Sequence, residues 1–170
     1  MTLYNRLVPL SVRNRVRINL LNYYPFEIHI ENITETSDRL IGWLKKHPKT
    51  MFMLGFSENK PSDEVLEKYN WLLTKFYTVN PFGLHVHFNS YSTQQSTINE
   101  ALQYFHRVGF STVDFASGHW KYNYETFEVC KKLGLVRVHV KTSEIEKLCC
   151  GVPCGVSILP VGSHLHDYDL

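Results

Sequence analysis

Strand-like and helix-like segments alternate along this chain, and the alternation limits the folds that it can adopt. Stretches with a two-residue hydrophobic period are separated by stretches with the apolar spacing of amphipathic helices. Short connections between such units predict a parallel sheet, either doubly wound or closed into a barrel. The predicted strands are Phe26–Ile30, Thr50–Gly55, Gly83–Asn89, Ser111–Phe115, Leu135–Val140 and, as the last one, Val156–Pro160.

The predicted helices begin at polar residues that can cap their amino ends. Thr36, Ser62 and Asn123 are the expected N-caps of three of them. In both candidate folds, ligands bind at the carboxyl ends of the parallel strands. We therefore expect the functional site at that edge of the sheet.

The segment Gly83–Asn89 carries two histidines one residue apart. Alternate residues of a strand lie on opposite faces, so His85, His87 and Asn89 share one polar face. Two neutral imidazoles on a rigid backbone suit a divalent metal. The alternative is a half-buried strand whose polar face merely carries histidines.

Other histidines and polar residues belong to the same edge of the predicted sheet. His29 and Glu31 share the polar face of the first strand and its end, and His119 follows the fourth strand. Arg137 and His139 lie on the polar face of the fifth strand, where they either join the site or form a satisfied polar pair inside a barrel. The scattered histidines therefore predict one cluster.

The composition is that of an ordinary globular protein. The chain has 170 residues, of which 44% are hydrophobic and 20% charged, and we expect one domain over residues 1–170. The net charge of +2 gives no case for nucleic acid as a partner. No apolar stretch is long enough to predict a membrane span.

The amino-terminal residues and the cysteines bear on the cellular compartment that we expect for the protein. Residues 1–24 include Arg13, Arg15 and Arg17 among apolar residues and are predicted to form a basic amphipathic extension. No signal-peptide core is evident, so reduced thiols in a cytoplasmic protein are expected. The four cysteines are Cys130, Cys149, Cys150 and Cys154. Their spacing is not a common zinc pattern.

Several segments, in chain order, resemble the polysaccharide deacetylases of carbohydrate esterase family 4, in a divergent and shortened form. The resemblance covers the helix and strand before the first long loop, the strand with the metal-binding histidines, the loop, helix and strand that follow, and the closing strand. The corresponding segments are Thr36–Gly55, Phe82–Phe88, Phe115–Trp120 with Asn123–Leu135, and Val161–Leu170.

The resemblance implies a distorted (β/α) barrel with fewer than eight parallel strands and one divalent metal, commonly zinc. It also implies hydrolysis of the N-acetyl C–N bond of an amino sugar, so the expected partner is a carbohydrate or another N-acetylated small molecule. A metal-activated water, a base and a histidine acid carry out such a reaction.

Residue roles follow from the resemblance, position by position. The expected metal ligands are His29, His85 and His87. The expected catalytic residues are Glu31 as the base and His166 as the acid, oriented by Asp167 or Asp169. The expected substrate contacts are Asn89, His119 and Trp120.

Three positions depart from the family pattern. His29 stands where the acidic base is expected, Asn89 stands where the second metal histidine is expected, and Ala116 replaces a loop arginine. One alternative is therefore a catalytically inactive deacetylase-like scaffold that binds a glycan or a protein partner. Another is a different metal-dependent amidohydrolase, although such enzymes usually carry His-x-His on the first strand.

Overall fold

The structure, a computed structural model, describes residues 24–145, 148 and 151–170. The predicted extension over residues 1–24 lies outside the described residues except for Tyr24, as do Cys149 and Cys150. Cys130 and Cys154 are free thiols. Within the described ranges, no helix has the length and apolar character needed to cross a membrane.

Strands and helices alternate, as the sequence predicts. The strands are β1 (Phe26–Ile30), β2 (Thr50–Ser57), β3 (Phe82–His87), β4 (Asp114–Ser117), β5 (Arg137–Lys141), β6 (Ser157–Val161) and β7 (His164–His166). The α-helices are α1 (Ile33–Lys46), α2 (Asp63–Phe76), α3 (Gln94–His106), α4 (Tyr124–Lys132) and α5 (Thr142–Ile145). Short 3-10 turns cover Gly118–Trp120 and Asp167–Asp169.

The strands form one parallel sheet of seven strands in the order β6-β5-β4-β3-β2-β1-β7. Strands β1 and β5 are four positions apart, which is about 19 Å in a flat sheet. Yet Oε2 of Glu27 on β1 lies 2.6 Å from Nδ1 of His139 on β5. The sheet is therefore curled into a distorted (β/α) half-barrel with fewer than eight strands, and the doubly wound alternative is excluded.

The chain crosses from one edge of the sheet to the other within two residues. Strand β6 ends at Val161 beside β5, and β7 begins at His164 beside β1 in the same direction. The carbonyl of Ser163 already accepts the N–H of Glu27 at 3.3 Å. The closing strand that the resemblance implied is present as β7, and the prediction of Val156–Pro160 as the last strand is wrong.

The two faces of the sheet differ in character. The outer face packs against the helices in one large hydrophobic cluster, which includes Ile28, Ile30, Leu84 and Val86. The inner face has only a small apolar cluster, formed by Met51, Met53 and Ala116 with Tyr24 and Trp120. The rest of the interior is polar and no more than 3% exposed: Glu27, His29, His85, Asp114 and His139. Buried polar groups are costly unless paired, so this interior is a candidate for function.

Two of the three predicted helix caps are confirmed. The Ser62 side chain accepts the N–H of Val65, and Asn123 forms a capping box with Thr126. The prediction for Thr36 is wrong, because α1 already begins at Ile33. The hydroxyl of Thr36 instead donates to a carboxylate from the end of the chain.

Candidate metal centre

Five of the predicted side chains meet at the carboxyl end of the sheet. His29 lies on β1, and Glu31 follows the last residue of that strand. His85 and His87 lie on β3, and His166 ends β7, where it is paired with His29. Parallel strands end at the same edge, and the curl of the sheet brings these ends together. The histidine cluster predicted from the sequence therefore exists.

Glu31 lies at the centre of the cluster. Its Oε1 atom is 3.1 Å from Nε2 of His85 and 2.9 Å from Nε2 of His87. Its Oε2 atom is 3.4 Å from Nδ1 of His166 on the other side. Burial raises the pKa of Glu31, but the hydrogen bonds and charges of His85 and His87 outweigh burial and hold that pKa well below its ordinary value. The carboxylate is ionised at neutral pH.

His29 and His85 form the buried floor of the site. Their ring centroids are 3.9 Å apart, and Nδ1 of each ring has no hydrogen-bond partner among the described residues. Burial lowers the pKa of His85 to about 3, so this ring is neutral at pH 7. Neutral imidazoles with free nitrogen lone pairs are suited to metal ligation.

His29, Glu31 and His85 form the one group in the described residues that could hold a metal ion. Each offers a ligand atom, and these atoms lie within 4.8 Å of one another. Two imidazoles and a carboxylate are a common zinc set, with bonds of about 2.0–2.2 Å. The orphaned Nδ1 atoms and this donor chemistry fit a divalent metal.

A buried chain of charges extends below the metal group. Nε2 of His29 lies 2.9 Å from Oε1 of Glu27, whose Oε2 lies 2.6 Å from Nδ1 of His139. Nε2 of His139 lies 3.0 Å from Oδ1 of Asp114, which also pairs with Arg137. Arg137 and His139, for which the sequence allows either a place in the site or a polar pair inside the barrel, lie in this chain inside the barrel.

Glu27 and Asp114 are the members of this chain that the sequence analysis did not single out. Glu27 alternates with His29 on β1, and this spacing was the available signal. Burial raises the pKa of Glu27, but His139 and His29 outweigh burial and lower it well below its ordinary value.

A cavity of about 430 Å³ opens beside Glu31. Sites for small molecules have volumes of about 300–1,000 Å³, so this cavity has the size of a small-molecule site. Its lining includes Glu31, His87, Asn89 and His119 together with polar Ser57 and Asn59. The side-chain amide of Asn89 donates to Glu58, which fixes Asn89 at the wall.

The turn after β4 brings two aromatic rings to the cluster. His119 and Trp120 both have positive φ angles, of 53° and 55°. Such a conformation is strained for residues other than glycine and is concentrated at functional sites. The ring of His119 is 4.9 Å from that of His87, and the ring of Trp120 is 5.4 Å from His29 and 5.0 Å from His164.

The carboxylates of the predicted partners of His166 accept hydrogen bonds from other groups. Asp167 accepts the N–H groups of Glu31 and Asn32, and Asp169 accepts the N–H of His166 itself. The expectation that one of these carboxylates orients the imidazole of His166 is therefore wrong. The ring instead stacks on Tyr168 with centroids 4.8 Å apart.

The fold can be compared with known proteins. No family model matches the chain, and no curated protein matches it. A similar structure is the crystal structure of a putative polysaccharide deacetylase from Mycobacterium smegmatis, with a TM-score of 0.47 and 10% identity. The match covers 74% of this chain and 54% of that one, so the chain spans about half the length of that protein. A similarity at this level assigns neither a family nor an activity.

Proposed function

We propose that this chain holds one divalent metal ion, zinc by its ligand set, and hydrolyses the N-acetyl C–N bond of an amino sugar. The observation that carries the proposal is the meeting of His29, Glu31 and His85 within 4.8 Å beside a cavity of about 430 Å³. Two observations support an N-acetyl sugar as the substrate. The deacetylase-like segments follow one another in the family's order along the sequence, and the lining of the cavity is polar.

The proposed ligands are His29, Glu31 and His85. The family resemblance implies Glu31 as the base and His87 as a ligand, and we exchange these two roles. The carboxylate of Glu31 belongs to the ligand group, whereas the ring of His87 lines the cavity and is a quarter exposed. A bound zinc ion would polarise the amide carbonyl and lower the pKa of a water molecule.

His87 is the proposed base and His166 the proposed acid. His87 accepts the proton of the attacking water while its Nε2 remains 2.9 Å from Glu31. Nδ1 of His166 lies 3.4 Å from Oε2, the other oxygen of the Glu31 carboxylate. His166 donates a proton to the leaving amine. Asn89 and His119 would contact the sugar, since both line the cavity. Trp120 packs on His29 and His164 and would shape the wall of the metal site.

Acetate release from N-acetylated oligosaccharides tests this proposal. Protein stripped with a chelator and reconstituted with zinc should release acetate, and His85→Ala should lower the rate by at least about 100-fold. His106→Ala is the matched control, because His106 is an exposed histidine at the end of α3. Release that survives both chelation and His85→Ala would contradict the metal-dependent reaction.

The second candidate is a catalytically inactive scaffold that binds a glycan. Ala116, which stands where the resemblance expects an arginine, is fully buried beside Met51 and Met53. That position therefore offers no guanidinium to orient a base. Zinc-loaded protein that binds N-acetylated oligosaccharides in calorimetry, yet releases no acetate, would favour the scaffold.

The amidohydrolase alternative receives no support from the strand order. His85 and His87 lie on β3, whereas such enzymes usually carry this pair on the first strand.

A further inference from the structure

The interior of the barrel holds a carboxylate that the proposed reaction does not use. Glu27 is 3% exposed and lies one layer below the metal group. Its two oxygens contact two different histidines, His29 at 2.9 Å and His139 at 2.6 Å. A carboxylate buried so deeply needs a reason beyond packing.

The hydrogen-bond chain determines where the protons are. Both ring nitrogens of His139 face carboxylates, Nδ1 towards Glu27 and Nε2 towards Asp114. An imidazole that donates from both nitrogens is a cation. Glu27, His139, Asp114 and Arg137 then form a neutral chain of two anions and two cations, in which Glu27 has no proton to donate.

The protonation of His29 follows from the surroundings of its two ring nitrogens. Because the Glu27 carboxylate can only accept, Nε2 of His29 must carry the ring proton and donate to Oε1. Nδ1 of His29 is buried and has no hydrogen-bond partner among the described residues. A proton on it would be an unpaired buried donor, so the ring is neutral and Nδ1 keeps a free lone pair. The lone pair is thus available to the metal group that His29 forms with Glu31 and His85.

We infer that Glu27 is a positioning residue that fixes the tautomer of His29 and directs its Nδ1 atom to the metal. This inference rests on the proposed metal site and adds the ligating atom and the residue that selects it. A carboxylate that holds a ligand histidine in this way typically contributes a factor of about 10–100 to metal affinity.

Nitrogen-15 NMR of the histidine rings tests the tautomer in metal-free protein. Wild-type protein should show the Nε2–H form of His29, and addition of zinc should shift the signal of Nδ1. Glu27→Gln keeps the side-chain shape and removes the charge, so it should give a mixture of tautomers. It should also weaken zinc binding by about 10–100-fold in chelator competition.

Asp114→Asn is the matched control. It removes a carboxylate from the same buried chain, but Asp114 contacts His139 and Arg137 rather than His29. Zinc affinity should change less than about threefold, well below the effect of Glu27→Gln. Equal losses in the two variants would show a general effect of barrel stability and would overturn the positioning role.

The outcomes separate this inference from the proposed function. An Nδ1–H form of His29 in metal-free wild-type protein would overturn the inference even if zinc binds. Wild-type protein that shows the Nε2–H form but binds no zinc would overturn the proposed function and the ligating role of Nδ1, while the tautomer assignment to Glu27 would be upheld. Wild-type spectra decide the tautomer even if neither variant folds.

Discussion

The carboxylate of Asp167 accepts the backbone N–H of Glu31 at 3.0 Å and so fixes the residue at the centre of the histidine cluster. The same carboxylate accepts the N–H of Asn32 at 2.9 Å and the hydroxyl of Thr36 at 2.6 Å. Asp167 follows β7 near the end of the chain, whereas Glu31 follows β1 near its start. The last residues thus anchor the end of the first strand.

Asp167→Asn should destabilise the fold. Asp167 is fully buried, and its carboxylate accepts hydrogen bonds from several donors. The NH₂ group of an asparagine would face some of these donors and could not accept from them. The expected loss is about 2–3 kcal/mol in the free energy of unfolding, measured with urea. The exposed Asp169 provides the matched control, and Asp169→Asn should cost less than about 0.5 kcal/mol. Equal effects of the two substitutions would contradict the anchoring role.

The stability of the metal-free protein should fall at alkaline pH because of His139. Burial lowers the pKa of His139, but the charges and hydrogen bonds of Glu27 and Asp114 outweigh burial and raise it to about 9. The unfolded chain releases this proton near pH ~6.5. The stabilisation from protonated His139 is therefore complete below pH ~6.5 and is lost as the pH rises to about 9. The free energy of unfolding should fall by on the order of 3 kcal/mol over this range.

Urea unfolding at several pH values between 6 and 10 measures this slope. His139→Gln removes the titrating group and should make the profile flatter in that window. A variant with the same slope as the wild type would show that another group is responsible.

Gly118→Ala should displace the imidazole of His87. A Cβ atom at position 118 would lie 2.5 Å from Nδ1 of His87, which is closer than such contacts allow. A displacement of about 1 Å in a catalytic group costs about 100-fold in rate, so kcat/KM for acetate release should fall by about that factor. Gly42 has no atom within 4 Å of its Cβ position, and Gly42→Ala should leave activity unchanged. Full activity in Gly118→Ala would argue against a catalytic role for His87.

His166→Gln should separate proton transfer from metal binding. His166 contacts Glu31 at 3.4 Å but is outside the group of His29, Glu31 and His85. Zinc content should therefore be retained, while kcat falls by about 10²–10⁴-fold, as expected when a general acid is removed. Loss of zinc in this variant would instead identify His166 as a ligand.

Local sequence patterns predicted the strands well and predicted the site in part. The two-residue period placed His85 and His87 on one face, and the parallel order of strands brought them to the same edge as His29 and Glu31. Those inferences need only backbone geometry. The confirmed caps at Ser62 and Asn123 are equally local.

The contacts across the barrel could not be predicted in this way. Glu27 meets His139 only because the sheet curls, and no pattern within either strand encodes that curl. Strand β7 has three residues, too few for a periodic signal. The local sequence favours Thr36 as a helix cap. Its hydroxyl instead donates to Asp167, which lies 131 residues away in the chain and which no local pattern can reveal.

Zinc content per chain tests the central claim most directly. Purified protein is stripped, incubated with zinc, dialysed and measured by mass spectrometry of the metal. Wild-type protein and His106→Ala should each retain about one zinc per chain, and His29→Ala and His85→Ala should each retain almost none. Wild-type protein without zinc, or full retention in the double variant His29→Ala, His85→Ala, would contradict a metal centre at this site.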